Sequence, residues 1–113
     1  MGDGNPWAGE VALVIDGRRR CLKLTLGALA ELEAALDADS LIALVERFES
    51  GGFRSRDVLA VLLAGLRGAG WKGRPAELAQ AQIEGGPVAA TRAAALLLGR
   101  AFAMPQDQSG AAE

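Results

Sequence analysis

Along the first third of the chain, apolar positions recur first at every second residue and then at every third or fourth. Glu10-Val-Ala-Leu-Val-Ile15 and Cys21-Leu-Lys-Leu-Thr-Leu26 alternate and flank Asp16-Gly-Arg-Arg19, which predicts a β-hairpin. Two registers compete. With Asp16–Gly17 at the tip, Leu13 faces Arg20 and the apolar face is mixed. With Gly17–Arg18 at the tip, Leu13 faces Leu22, Val11 faces Leu24, and Leu26 extends the same face. The second register also puts Gly at the first central position of a type II′ turn. A slip of one residue would turn every side chain to the other face, so the uniform face favours the second register. Two strands alone are marginal in water, and the hairpin must therefore lie on helices.

Past Gly27, read as the corner between strand and helix, Leu29, Leu32 and Leu36 have helical spacing. Thr25 is a candidate N-cap, and Glu31 sits in the early turns, where the helix dipole favours a carboxylate. Asp37-Ala-Asp-Ser40 interrupts the pattern, with Asp39 or Ser40 as the next cap. Leu41, Leu44, Val45 and Phe48 form a second amphipathic stripe that ends at Gly51-Gly52. Ser55 is the expected cap of a third helix, with Asp57 near its positive end. Its apolar residues Val58, Leu59, Val61, Leu62, Leu63 and Leu66 spread over more than one stripe. Either this helix is central and buried on two sides, or part of its surface serves a partner.

Gly65, Gly68 and Gly70 read as the frayed end of the third helix. Pro75 suits the first turn of a short fourth helix carrying Leu78, Ala81 or Gln82, and Ile83. Gly85-Gly86 closes it, and a last helix follows Pro87. There Val88, Ala95, Leu98 and Phe102 share one face, while Arg92, Leu96 and Arg100 line up four apart on another. The fold class expected is α+β, mostly α, with an N-terminal hairpin and about five short helices. Residues 1–9 read as a loose arm, 10–103 as one domain and 104–113 as a disordered tail.

Composition narrows the function classes. A chain of 113 residues is expected to bury roughly two-thirds of its unfolded surface, enough for one core without metals or disulfides. Net charge is −2, which argues against long-range attraction to nucleic acid or anionic lipid. A single cysteine, Cys21, fits a reducing compartment. No signal-peptide layout and no apolar run near the roughly 20 residues of a membrane span is present, so cytoplasmic placement is the default. The absence of histidine removes the commonest general base and metal ligand. Cys21 alternates out of the apolar face and has no histidine partner, which makes it a plain strand cysteine. Asp37 and Asp39 lack the oxygen count of a calcium loop and fit helix-boundary capping better. Gly65-Leu-Arg-Gly68-Ala-Gly70-Trp-Lys72 lacks the Gly-Lys-Ser/Thr order of a phosphate loop. Arg18-Arg19-Arg20 is the basic cluster of the chain; it could meet phosphate or an acidic partner, but no aromatics interleave it. These residues give no active site, no cofactor and no metal site.

The hairpin followed by CLKLTLGALAELEAAL resembles the gene transfer agent family of small phage-tail-related proteins. DSLIALVERFESGGFRSRDVLAVLLAGLRGAG and IEGGPVAATRAAALLLGRAF continue the resemblance through the helices in the same order. It spans roughly Gly9 to Phe102 and is most specific from Leu24 to Leu36. The resemblance implies a prophage or gene transfer agent tail protein, taken to be a tail assembly chaperone and also labelled a tail tube component. Its implied partners are a tape-measure protein and a tail tube protein. It carries no catalytic residues across. Homo-oligomerisation is compatible with the wide apolar faces. The residues expected to meet a partner are Leu59, Leu63 and Leu66 on the third helix, with Arg92, Leu96 and Arg100 on the last. A structural tail tube subunit and a small DNA-binding regulator are the rival readings.

Overall fold

The computed structural model describes residues 11–36 and 40–102. The arm at 1–9, Glu10, the pair Asp37 and Asp39, and the tail from 104 lie outside the described residues. The elements are β1 (Val11–Ile15), β2 (Arg18–Leu22), α1 (Leu26–Ala35), α2 (Leu41–Ser50), α3 (Ser55–Gly68), α4 (Pro75–Ala79) and α5 (Gly86–Phe102). This is the α+β, mostly helical architecture that the alternating and helical patterns predict.

The hairpin adopts the other register. Val11 lies opposite Leu22, Leu13 opposite Arg20 and Ile15 opposite Arg18, so Asp16–Gly17 is the tip. Both tip residues have positive φ, 52° and 79°, as a type I′ turn requires, and Asp-Gly is among the pairs that favour it. Turn chemistry therefore outweighs the matching of apolar partners across the strands. The mixed face is tolerated because its cover comes from elsewhere. α5 lies on β1 and α3 on β2, so Val11, Leu13, Ile15 and Leu22 are buried, while Arg18 and Arg20 lie towards the turn end.

The outer edge of β1 is also occupied. Asp16 N donates to the Gln82 carbonyl at 2.7 Å and Glu84 N to the Val14 carbonyl at 3.0 Å. Asp16 Oδ1 accepts from Gln82 N at 2.8 Å. Ile83, expected on the fourth helix, is instead a bridge partner of Ile15, and α4 stops after five residues.

Several boundaries follow local chemistry. Thr25 caps α1, its hydroxyl accepting from Ala28 N at 3.1 Å, and Ser40 caps α2 by accepting from Ala43 N at 3.1 Å. Gly51 ends α2 at φ 86°. Because α1 already begins at Leu26, the strand-to-helix corner is Lys23–Thr25 and not Gly27. Leu26 is 84% exposed and does not extend the hairpin's apolar face. Leu32 and Leu44 are buried as their stripes predict.

α3 is the helix on which the others pack, in contact with α1, α4, α5 and β2. Its cap is Arg54, not Ser55, and Asp57 is more than a dipole partner. The Asp57 carboxylate, 2% exposed, accepts from Arg54 N at 2.8 Å. It also accepts from Arg47 Nε and Nη2, each at 3.1 Å, a bidentate pair that ties α2 to the start of α3. Burial pushes this carboxyl's pKa up. The Arg47 hydrogen bonds, the Arg54 backbone N–H and the two positive charges outweigh that and hold it below its ordinary value.

Gly65 does not fray α3; it lies inside it, and Gly68 is its last residue, both where the chain crosses closely. A Cβ at Gly65 would stand 2.8 Å from Leu97 Cδ1 and 3.0 Å from Leu22 Cβ, and one at Gly68 would collide with the Lys23 carbonyl oxygen. The approach is sealed by Lys23 N donating to the Gly65 carbonyl at 2.9 Å. Gly70, at φ 101°, sits in the turn that follows the helix.

The last helix is rotated from its expected setting. Its buried side is Ala90, Ala93, Ala94, Leu97 and Leu98. Val88, Ala95 and Phe102, expected beside Leu98, face outward. Ala90, Ala93 and Ala94 let the first half of α5 lie close against its neighbours, Leu97 and Leu98 fill the core further on, and Val88, Leu96 and Phe102 are left on the far side.

Candidate functional site

The six residues expected to meet a partner do not form one site. Leu66 is 1% exposed and belongs to the core; its place on α3 turns it under the sheet and away from solvent. Leu59 and Leu63 are half-buried. They line a groove of about 350 Å³ with Arg56, Ala60, Pro75, Ala76, Leu78 and Ala79. This groove exists because α4 leans on the outer side of α3 with mostly small side chains. No residue of α5 lines it.

Arg92, Leu96 and Arg100 lie on the exposed side of α5. The apolar content of that side exceeds the expectation. Val88 is 66% exposed, Leu96 43% and Phe102 41%, and Ala95 and Gly99 lie between them. At 100° per residue, Val88, Arg92, Ala95, Leu96, Gly99 and Phe102 fall on one flank of the helix. At its start, Val88 and Arg92 join Pro87, Thr91 and Phe53 around a shallow depression of about 530 Å³. Phe53 is held there by stacking on Phe48 of α2, with ring centroids 4.9 Å apart. Sequence reasoning groups Val88 and Phe102 with Leu98, which the structure buries while they stay exposed. The signal that could have found them was the alanine run, since helices that approach closely do so through small residues.

A third concavity lies where the turn end of the hairpin meets the loop after α3 and the short α4. Ile15, Asp16, Arg18, Arg20, Leu66, Trp71, Glu77, Leu78, Gln80 and Ala81 enclose about 530 Å³. Cys21, on the opposite face of β2, is exposed. Among the described residues no helix is long and apolar enough to cross a membrane.

The stretch that forms the N-terminal hairpin, the central helix and the last helix matches one family along nearly its whole length. The family model described as "phage tail tube protein, GTA-gp10" matches residues 8–104. The chain belongs to this family. It is thus a tail protein of the phage and gene transfer agent type, and its role lies among other tail proteins. The match takes in both apolar surfaces and the hairpin groove. No curated protein and no solved structure matches the chain.

Proposed function

We propose that this tail protein is a non-enzymatic assembly chaperone that binds an apolar helical segment of the tape-measure protein, the tail tube protein or both during tail assembly. The observation that carries the reading is the outward flank of α5, where Val88, Leu96 and Phe102 stand exposed on a helix whose own packing uses alanines. A helix presenting such a flank suits helix-to-helix docking with a partner, with Arg92 at its margin as a polar anchor. The groove bearing Leu59 and Leu63 offers a second apolar contact. Capture of co-expressed tape-measure fragments tests the proposal. A Leu63→Asp, Leu96→Asp double variant that stays folded is expected to lose capture, and unchanged capture removes these surfaces from the role.

The family description favours a second reading, a structural subunit retained in the tail. Against it, the sheet among the described residues has two strands and one added bridge, little extended edge from which to close a ring. Particle composition separates the two: a chaperone is absent from purified tails, and a tube subunit is present in many copies.

A further inference from the structure

We propose that the outward flank of α5 is also a two-fold interface, where a second copy of this chain lies antiparallel and each Phe102 enters the other copy's depression beside Val88. Val88, Arg92, Ala95, Gly99 and Phe102 follow one another at alternate steps of four and three residues, the spacing by which two helices keep a single seam in contact. A hole and its filling stand on that one seam. The depression of about 530 Å³ lined by Phe53, Pro87, Val88, Thr91 and Arg92 is at its start, and Phe102, 41% exposed, is at its end. Between them Ala95 and Gly99 face solvent, and a Cβ at Gly99 would meet no other part of the fold within 4 Å.

This spacing makes the flank complementary to itself. Ala95 lies seven residues from Val88 and seven from Phe102. A two-fold axis at Ala95 therefore sets Phe102 of each copy against Val88 of the other, about 10 Å to either side. Leu96, beside the axis and 43% exposed, meets its counterpart, and the small Ala95 lets the backbones approach. In the depression, Phe53 and Val88 give the incoming ring apolar walls, and Arg92 sets a guanidinium beside it. An unrelated helix would need an aromatic at the matching distance by coincidence, whereas a second copy has one at both ends at once. α5 has 17 residues and is about 25 Å long; two such helices in contact bury about 1,000 Å² in total, near the lower limit of a specific interface. The pair is therefore weak and depends on concentration. α5 carries no acidic residue, so apolar contact and not ion pairing holds it. This inference does not rest on the chaperone reading; a second copy and a tail partner would use the flank in turn.

The test follows the mass of the full chain by sedimentation equilibrium from about 1 to about 500 µM, with no tail protein present. The mass is expected to rise from 11.7 kDa towards twice that value. Val88→Asp and Phe102→Arg should each weaken association at least about tenfold. Mixing the two variants should restore it, because one end of the mixed pair keeps Val88 against Phe102 and the other sets aspartate against arginine. A single-chain mass throughout, a limiting mass above the dimer, association untouched by either variant, or no recovery on mixing overturns the proposal. Should either variant fail to fold by circular dichroism, an Ala95→Cys, Cys21→Ser chain decides: oxidation should join two copies through position 95, and failure to do so overturns the axis. Capture of tape-measure fragments is scored separately. A monomeric chain that captures them sinks this inference alone, and a dimeric chain that does not capture them sinks the chaperone reading alone.

Discussion

α3 and α5 are the two longest helices and pack on each other, yet they use large side chains in opposite ways. On α3, Val58, Val61, Leu62 and Leu66 point into the core, and glycine stands where neighbours come closest. On α5 the core side is mainly alanine, and Val88, Leu96 and Phe102 stand outside. Bulk on the first helix is mostly stability; on the second, Leu97 and Leu98 serve the core while Val88, Leu96 and Phe102 are surface. The contrast predicts that substitutions of similar size along the two helices will sort cleanly into folding defects and binding defects.

The largest effect is expected at the centre of α3. Leu62→Ala removes a side chain with no solvent exposure and should cost about 4 kcal/mol in urea unfolding, from lost transfer energy and the cavity left behind. At the start of the same helix, Asp57→Ala removes the buried acceptor of Arg47 Nε, Arg47 Nη2 and Arg54 N and should cost about 3 kcal/mol. This contribution has a pH signature. The folded carboxyl titrates below its ordinary 3.8, so the pair stabilises fully above that pH and loses its effect as pH falls towards the lowered value. The stability gap between the native chain and Asp57→Ala must therefore close on acidification; a gap independent of pH would mean that the ion pair is not its source.

Gly68→Ala sharpens the comparison by setting local preference against packing. Alanine should gain about 1 kcal/mol of helix propensity, but its Cβ meets the Lys23 carbonyl oxygen, a backbone atom that cannot rotate away. A net loss of about 2 kcal/mol in thermal unfolding is expected. The smallest stability effect belongs to α5. Val88→Ser and Leu96→Ser should each stay within about 0.5 kcal/mol of the native chain, while capture of tape-measure fragments falls. A large loss of stability at either position would place α5's outer flank in the core and break the contrast.

What could be read in the sequence was the chemistry that acts over a few residues. Thr25, Ser40, Gly51 and Pro75 announce their helix boundaries because a cap or a fixed φ needs no distant partner. The alternation from Val11 to Ile15 likewise announces a strand. The register was misread because facing residues were weighed above turn chemistry, although Leu13 and Ile15 are covered by helices from the far end of the chain. Gly65 looks like a helix end in sequence, since the same residue serves as a terminator or as a crossing point, and only the nearby strand decides which; Gly68 is both. The setting of α5 was hidden for a related reason: in a helix rich in both Ala and Leu, two faces compete, and size alone selects the wrong one. Of the candidate surface, Arg92, Leu96 and Arg100 were legible as an exposed row, whereas Leu66 was not distinguishable from Leu63. That Arg18, Arg20 and Trp71 line one concavity depends on segments some fifty positions apart.

The clasp between Asp16 and Gln82 joins positions 66 apart, and this has a consequence for a chain made from its N-terminus. Until the segment after α4 leaves the ribosome, β1 has one edge unpaired and one face without its α5 cover. A nascent or truncated product ending near Gln80 would carry an open, apolar strand able to pair with another chain. The hairpin is made first and finished last.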